Sequence, residues 1–207
     1  MAGKIIIKTS ITICFLFIFI LACGGSTPPD SDLSKVTRHI AGEFMGDLKA
    51  ELTTALQDTA GVPGAVYVCA EKAPEISAFY SGLAGITARR ASAKYRNPMN
   101  APNEYEATAL EVLEGRSAAA GDEFFEWTET NGAKTFHYVK AIKIAGPCLN
   151  CHGNPEKMSP EMLASLAEKY PEDMATGYKV GDLRGLFTIS IDWPAGRATV
   201  DSILAAL

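Results

Sequence analysis

Cys148, Cys151 and His152 lie within five residues, in the stretch AGPCLNCHGNP from Ala145 to Pro155. Two thiols and an imidazole so close together suit three chemistries. A zinc site needs four ligands, yet no second C-x-x-C or H-x-x-x-H follows, and His39 and His137 stand alone and far away in sequence. A redox dithiol belongs at a helix N-terminus after the first strand of a βαβ unit, whereas this pair follows a hairpin late in the chain. C-x-x-C-H is also the attachment signature for c-type haem: the two thiols add to the vinyl groups on one porphyrin edge, and the adjacent histidine becomes the proximal iron ligand. That chemistry fits best, and a single motif implies one covalently bound haem c held by Cys148, Cys151 and His152.

The remaining cysteines sharpen this reading. Lys4 and Lys8 precede an apolar run of 12 residues, Ile11 to Ala22. It falls short of the roughly 20 residues that span a bilayer, and reads as an export signal. Ile20-Leu21-Ala22-Cys23-Gly24 resembles a bacterial lipoprotein signal, with Cys23 lipidated. Residues 1–22 are then the signal peptide and 23–32 a flexible tether rich in Gly, Ser, Pro and Asp. The folded domain is expected over 33–207. With Cys14 discarded and Cys23 lipidated, Cys69, Cys148 and Cys151 are left in an oxidising compartment, an odd number that cannot all pair.

Charge limits the partners. The chain carries 19 basic and 24 acidic residues, and loss of Lys4 and Lys8 moves the net from -5 to -7. An acidic surface disfavours nucleic acid and anionic lipid, so membrane contact is expected through the lipid anchor only. The expected location is periplasm-facing, on the outer membrane of a Gram-negative bacterium, since Gly24 rather than Asp follows Cys23.

These residues need elements to position them. Val36, Ile40, Phe44, Leu48, Leu52 and Leu56 recur every four residues, predicting an amphipathic helix over Leu33 to Thr59 whose stripe packs on the core or forms a homodimer seam. Ala65 to Val68 reads as a short strand and Ala73 to Tyr80 as a helix. Ile86 to Ser92 reads as a strand, and a Pro/Asn-rich loop then enters a helix over Glu104 to Glu114. Glu123 to Thr130 and Lys134 to Ile144 form a hairpin around Asn131-Gly132. Ser159 caps a helix running to Tyr170, Leu186 to Trp193 is a closing strand, and Pro194 opens a final helix. The sum is an α+β domain.

In order along the chain, VCAEKAP (Val68 to Pro74), RRASAKYRNPMNAPNEYE (Arg89 to Glu106), the hairpin leading into CLNCHG, and GYKVGDLRGLFTISI (Gly177 to Ile191) resemble the bacterial domain-of-unknown-function 3365 family. The resemblance covers roughly Val36 to Asp192. It implies a PAS-like antiparallel sheet with flanking helices and a long N-terminal helix, carrying one c-type haem, either alone or as the input of a signalling protein.

The resemblance also implies a second axial ligand, Cys69 of the V-C-x-x-x-A-P motif, opposite His152. A thiolate favours ferric over ferrous iron and gives a low potential. Other occupants of the sixth position are Met99, Met158, Met162, Met174 and His137, or none. The haem propionates need cations, and Arg90, Lys94, Arg96 and Arg184 are the candidates. Tyr138 and Tyr178, with Trp127 and Phe187, are candidate pocket walls, and Leu149 a contact for the macrocycle edge. Two functions follow: a mono-haem cytochrome passing single electrons to a redox partner protein, or a redox or gas (NO/CO) sensor that signals through a separate protein. No nucleophile and base pair up in the sequence to suggest an enzyme.

Overall fold

The structure, a computed structural model, describes residues 27–58 and 61–207. The expected signal segment and Cys23 lie outside them. Helix α1 (Asp30–Gln57) starts three residues before the expected Leu33, inside the expected tether. Pro29 enters it in an extended conformation, and Asp30 and Asp32 occupy the first turn, where the helix dipole favours negative charge. Asp30 is also anchored, its Oδ1 accepting from Trp127 Nε1 at 2.9 Å. A tertiary bond thus carries the helix into a stretch whose composition alone reads as linker.

The N-terminal half of the α1 stripe, Leu33, Val36, Ile40 and Phe44, is fully buried against the sheet. Beyond it the helix leaves the core, and Leu56 is 46% exposed. After α2 (Gly61–Tyr67) the chain runs through a π-helical segment, Val68–Lys72, into α3 (Ala73–Ser81). The strand expected over Ala65 to Val68 is therefore helical. Four apolar and β-branched residues fit either state, and here Val66 packs against another helix rather than a strand.

Strands β1 (Ile86–Ala91), β2 (Glu123–Thr130), β3 (Ala133–Lys143) and β4 (Leu183–Trp193) form one antiparallel sheet in the order β1-β4-β3-β2. Asn131 (φ 53°) and Gly132 (φ 81°) make the β2/β3 hairpin as their sequence predicts. One sheet face carries Ile86, Ala88, Phe136, Tyr138, Ile189 and Ile191 under α1 and α3. The other carries Ala91, Val139 and Leu186 under Leu110 and Leu113 of α4 (Glu104–Gly115). Central β4 is covered on both faces, which explains its nearly continuous apolar run from Leu186 to Ile191.

Between β3 and β4 runs the long excursion that contains the C-x-x-C-H motif, with α5 (Leu149–His152) and α6 (Pro160–Lys169). Ser159 caps α6 as expected, accepting from Met162 N at 3.2 Å. After β4, a turn over residues 194–196 precedes α7 (Arg197–Ala206), so Pro194 starts the turn and not the helix. The α+β architecture, with flanking helices and a long N-terminal helix, matches the expectation from sequence.

Candidate functional site

The excursion leaves and rejoins the sheet at one place. Ile144 N donates to Asp182 O at 3.0 Å and Gly181 N to Ile144 O at 2.9 Å, which ties the stem shut. Just past the stem, Cys148 N donates to Ala145 O at 3.0 Å and Ala145 N to Cys148 Sγ at 3.4 Å, curling the chain into α5. One helical turn sets Cys148, Cys151 and His152 at i, i+3 and i+4, so a single face carries both sulfurs and the imidazole. Gly153 then turns the chain sharply: a Cβ there would lie 2.5 Å from Leu149 O. The turn lets Gly177 N reach Gly153 O at 2.8 Å and Tyr178 N reach His152 O at 2.9 Å.

His152 is oriented from behind. Its Nδ1 lies 2.7 Å from Ala175 O, and since a carbonyl can only accept, Nδ1 carries the hydrogen and Nε2 the free lone pair. Burial, aided by Arg96 and Arg184 and opposed by the Ala175 carbonyl and Asp173, lowers its pKa to about 3, so the ring is neutral. A cavity of about 170 Å³ opens between this histidine, Cys148, Ile142 and Ile144 on one side and Arg90, Ser92 and Arg184 on the other. A cleft of about 570 Å³ shares Ser92, Lys143, Arg184 and Gly185 with it and adds Lys94 and Tyr178.

Cys69 comes to the same neighbourhood from the far side of the chain. Its π-helical segment packs through Ala70, beside Val66, on a cluster of Met162, Leu166 and Tyr170 that also takes in Cys151. Burial pushes the Cys69 thiol up, while Arg90, Arg96 and Arg184 pull the other way. Cys69, Cys148 and Cys151 are all free thiols.

The four cations divide into two kinds. Arg90 Nε and Arg184 Nε are buried without a hydrogen-bond partner, and burial lowers both guanidinium pKa values. Lys94 Nζ donates to Thr176 O at 2.6 Å and stands 4.5 Å above the Tyr178 ring, with Arg184 at 5.6 Å from the same ring. Arg184 Nη1 also donates to Ser92 Oγ at 2.7 Å and Lys94 O at 3.2 Å, but Arg96 has a carboxylate partner: it bonds Asp173 Oδ2 at 3.0 Å and donates to Cys151 O at 2.6 Å. It is a brace of the loop, not a free propionate contact.

Several other candidates sit elsewhere. Tyr138 is buried under α1, its hydroxyl donating to Glu123 Oε2 at 2.5 Å. Trp127 bonds Asp30 and packs edge-on against Phe136, and Phe187 packs edge-on against Phe44, so these aromatics are core. His137 has both nitrogens occupied, by Thr128 Oγ1 and Ser190 Oγ at 2.9 Å each, on the α4 side of the sheet. Met99 is 79% exposed, and Met162 is buried with α6. Met158 and Leu149 are nearer: they line a surface cleft of about 800 Å³ that shares Gly177 and Tyr178 with the 570 Å³ cleft, whereas Met174 is 39% exposed. Tyr178 does stand at the site, edge-on to His152 with ring centroids 6.3 Å apart. Asp173 and the carbonyl of Ala175 were not legible as site groups, since PEDMATGY carries no motif and a backbone oxygen leaves no trace in sequence.

The residues present fit a haem. Two free thiols and a neutral imidazole with one open nitrogen supply the donor set, and the unpartnered Nε groups of Arg90 and Arg184 await an anion.

Fold and site together define the class: an α+β domain that lays a C-x-x-C-H loop against the end of an antiparallel sheet. The chain belongs to the Tll0287-like family, whose model matches residues 30–192. Among solved structures, the crystal structure of the cyanobacterial haem protein Tll0287 aligns with a TM-score of 0.62 and 25% identity, covering 82% of this chain and 99% of that one. No curated protein matches the chain. The solved relative is thus a haem protein, the kind of family that the sequence motifs resemble.

Proposed function

We propose that this chain is a mono-haem c-type cytochrome that transfers single electrons. The observation that carries the reading is the His152 geometry: Nδ1 is spent on Ala175 O at 2.7 Å, so Nε2 is open on the helix face that also holds Cys148 and Cys151. When bound, the haem supplies a ferric/ferrous couple. Cys148 and Cys151 would hold it covalently, and His152 and Cys69 would supply the donor atoms to its iron. Arg90 and Arg184, with Lys94, offer charge to the propionates. The similarity to the haem protein Tll0287 supports haem binding, and the resemblance to the domain-of-unknown-function 3365 family supports c-type attachment and Cys69 ligation. Cys23 anchors the mature chain by lipid on the periplasmic side of an outer membrane. There it meets an electron-transfer partner protein, and a second copy packs along the exposed end of α1.

A second reading has its own observation. Cys69 sits on a π-helical segment, a local irregularity that recurs at functional sites, and burial opposes its thiolate. A ligand so placed is displaceable, which suits a redox or gas sensor acting through a separate protein.

Visible and EPR spectra of the wild type and of Cys69→Ala, with and without CO, test the assignment. The wild type should be low-spin with a thiolate signature. The variant should keep its haem, move towards high spin, rise in potential and bind CO faster when ferrous. An unchanged spectrum and potential would make Cys69 a plain buried thiol, and would remove the thiolate-switch form of the sensor with it.

A further inference from the structure

We infer that Arg96 and Asp173 form a buried charge pair that positions His152 and sets how strongly its ring donates to the iron. The inference rests on the haem reading above and concerns residues that no motif singled out for this task. Arg96 is 7% and Asp173 12% exposed, so water screens neither strongly. Their contact is close, with Arg96 Nε and Nη2 each 3.0 Å from Asp173 Oδ2.

From this pair the bonds converge on the ligand loop. Arg96 Nη2 donates to Cys151 O at 2.6 Å and to Ala175 O at 3.4 Å. Ala175 O is the same oxygen that accepts from His152 Nδ1 at 2.7 Å. Asp173 Oδ1 accepts from Ala175 N at 2.8 Å, so the pair holds Ala175 by both its N–H and its C=O. The guanidinium and the imidazole therefore share one carbonyl oxygen, whose two lone pairs accept from both.

That sharing has a chemical direction. A strong acceptor at Nδ1 makes an imidazole a better donor at Nε2 and favours oxidised iron. A cation on the acceptor oxygen draws its electron density away and favours the reduced form, and the Asp173 carboxylate offsets that cation. Arg96 and Asp173 thus push the potential in opposite directions through one shared oxygen. Neither touches the iron; both are positioning residues.

Redox titration of the holoprotein tests this, with wild type, Asp173→Asn, Arg96→Gln and the double variant compared. Asn keeps the shape and one of the two acceptor oxygens of Asp173 while deleting its charge, so the potential should rise. About a tenfold change in the ferric to ferrous ratio at a fixed applied potential is expected, about 59 mV for a one-electron couple. Arg96→Gln should lower the potential, and the double variant should return towards the wild type, all with the low-spin spectrum kept. Equal potentials across the set, or shifts of the same sign in both single variants, would overturn the inference. So would loss of holoprotein in Asp173→Asn and the double variant alike, which would make the pair a folding element only. A wild type without covalent haem overturns the haem reading itself, a result distinct from loaded variants that share one potential.

Discussion

At the scale of single residues, chemistry separates groups that look alike in sequence. Arg90, Arg96 and Arg184 are three arginines near one motif, yet only Arg96 has a carboxylate partner among the described residues. The sequence shows where charge is plentiful, not where it is already spent; Asp173 lies 77 positions from Arg96. His137 makes the same point for imidazoles. It is stacked on Tyr105 at 4.0 Å between centroids and bonded through both nitrogens, and burial lowers its pKa below the usual 6.5 despite Glu126 and Asp192. Because the folded pKa is the lower one, the unfolded chain takes the proton first as pH falls. His137 therefore supports the fold fully above about pH 6.5, and its contribution is lost on acidification from there down to the folded value, by up to about 1.4 kcal/mol per pH unit. Urea unfolding of the wild type and His137→Gln between pH 7 and 5 should show the shallower pH slope in the variant. Equal slopes would mean that His137 titrates normally in the folded chain.

At the scale of elements, the site depends on a turn that only glycine permits. A Cβ at Gly153 would meet Leu149 O at 2.5 Å, so Gly153→Ala must push α5 away from the strand of bonds that His152 O and Gly153 O make with Tyr178 and Gly177. Overpacking of this kind costs about 1–3 kcal/mol. Thermal unfolding and the haem-to-chain ratio should both fall, and a variant with wild-type values of each would show that the loop tolerates the shift. The hairpin and α6 were legible because each has a local signal, Asn131-Gly132 and Ser159, and α4 because a Pro/Asn-rich loop leads into it. The segment bearing Cys69 was not. AVYV has strand-like composition, and only its packing on Met162, Leu166 and Tyr170 makes it helical. Of the site, the covalent motif was plain in sequence, while the residues behind it act through backbone carbonyls and side-chain contacts between distant segments.

At the scale of the whole molecule, charge is distributed against its surroundings. The chain is acidic overall, with a net charge of -5, yet Arg90, Arg96 and Arg184 gather around Cys69 with Asp173 as the one carboxylate ion-paired to them among the described residues. Buried cations without counterions are costly, and under the proposed function Arg90 and Arg184 would meet incoming anions. Two haem propionates have the right sign, and the thiols of the neighbouring C-x-x-C-H loop would hold the macrocycle that carries them. The central claim is that attachment, and acid–acetone extraction followed by denaturing electrophoresis tests it most directly. In the wild type the haem should stay with the polypeptide, and replacing Cys148 or Cys151 by Ala should leave at most one thioether and lower the yield of loaded chain. Haem that extracts completely from the wild type would contradict the account.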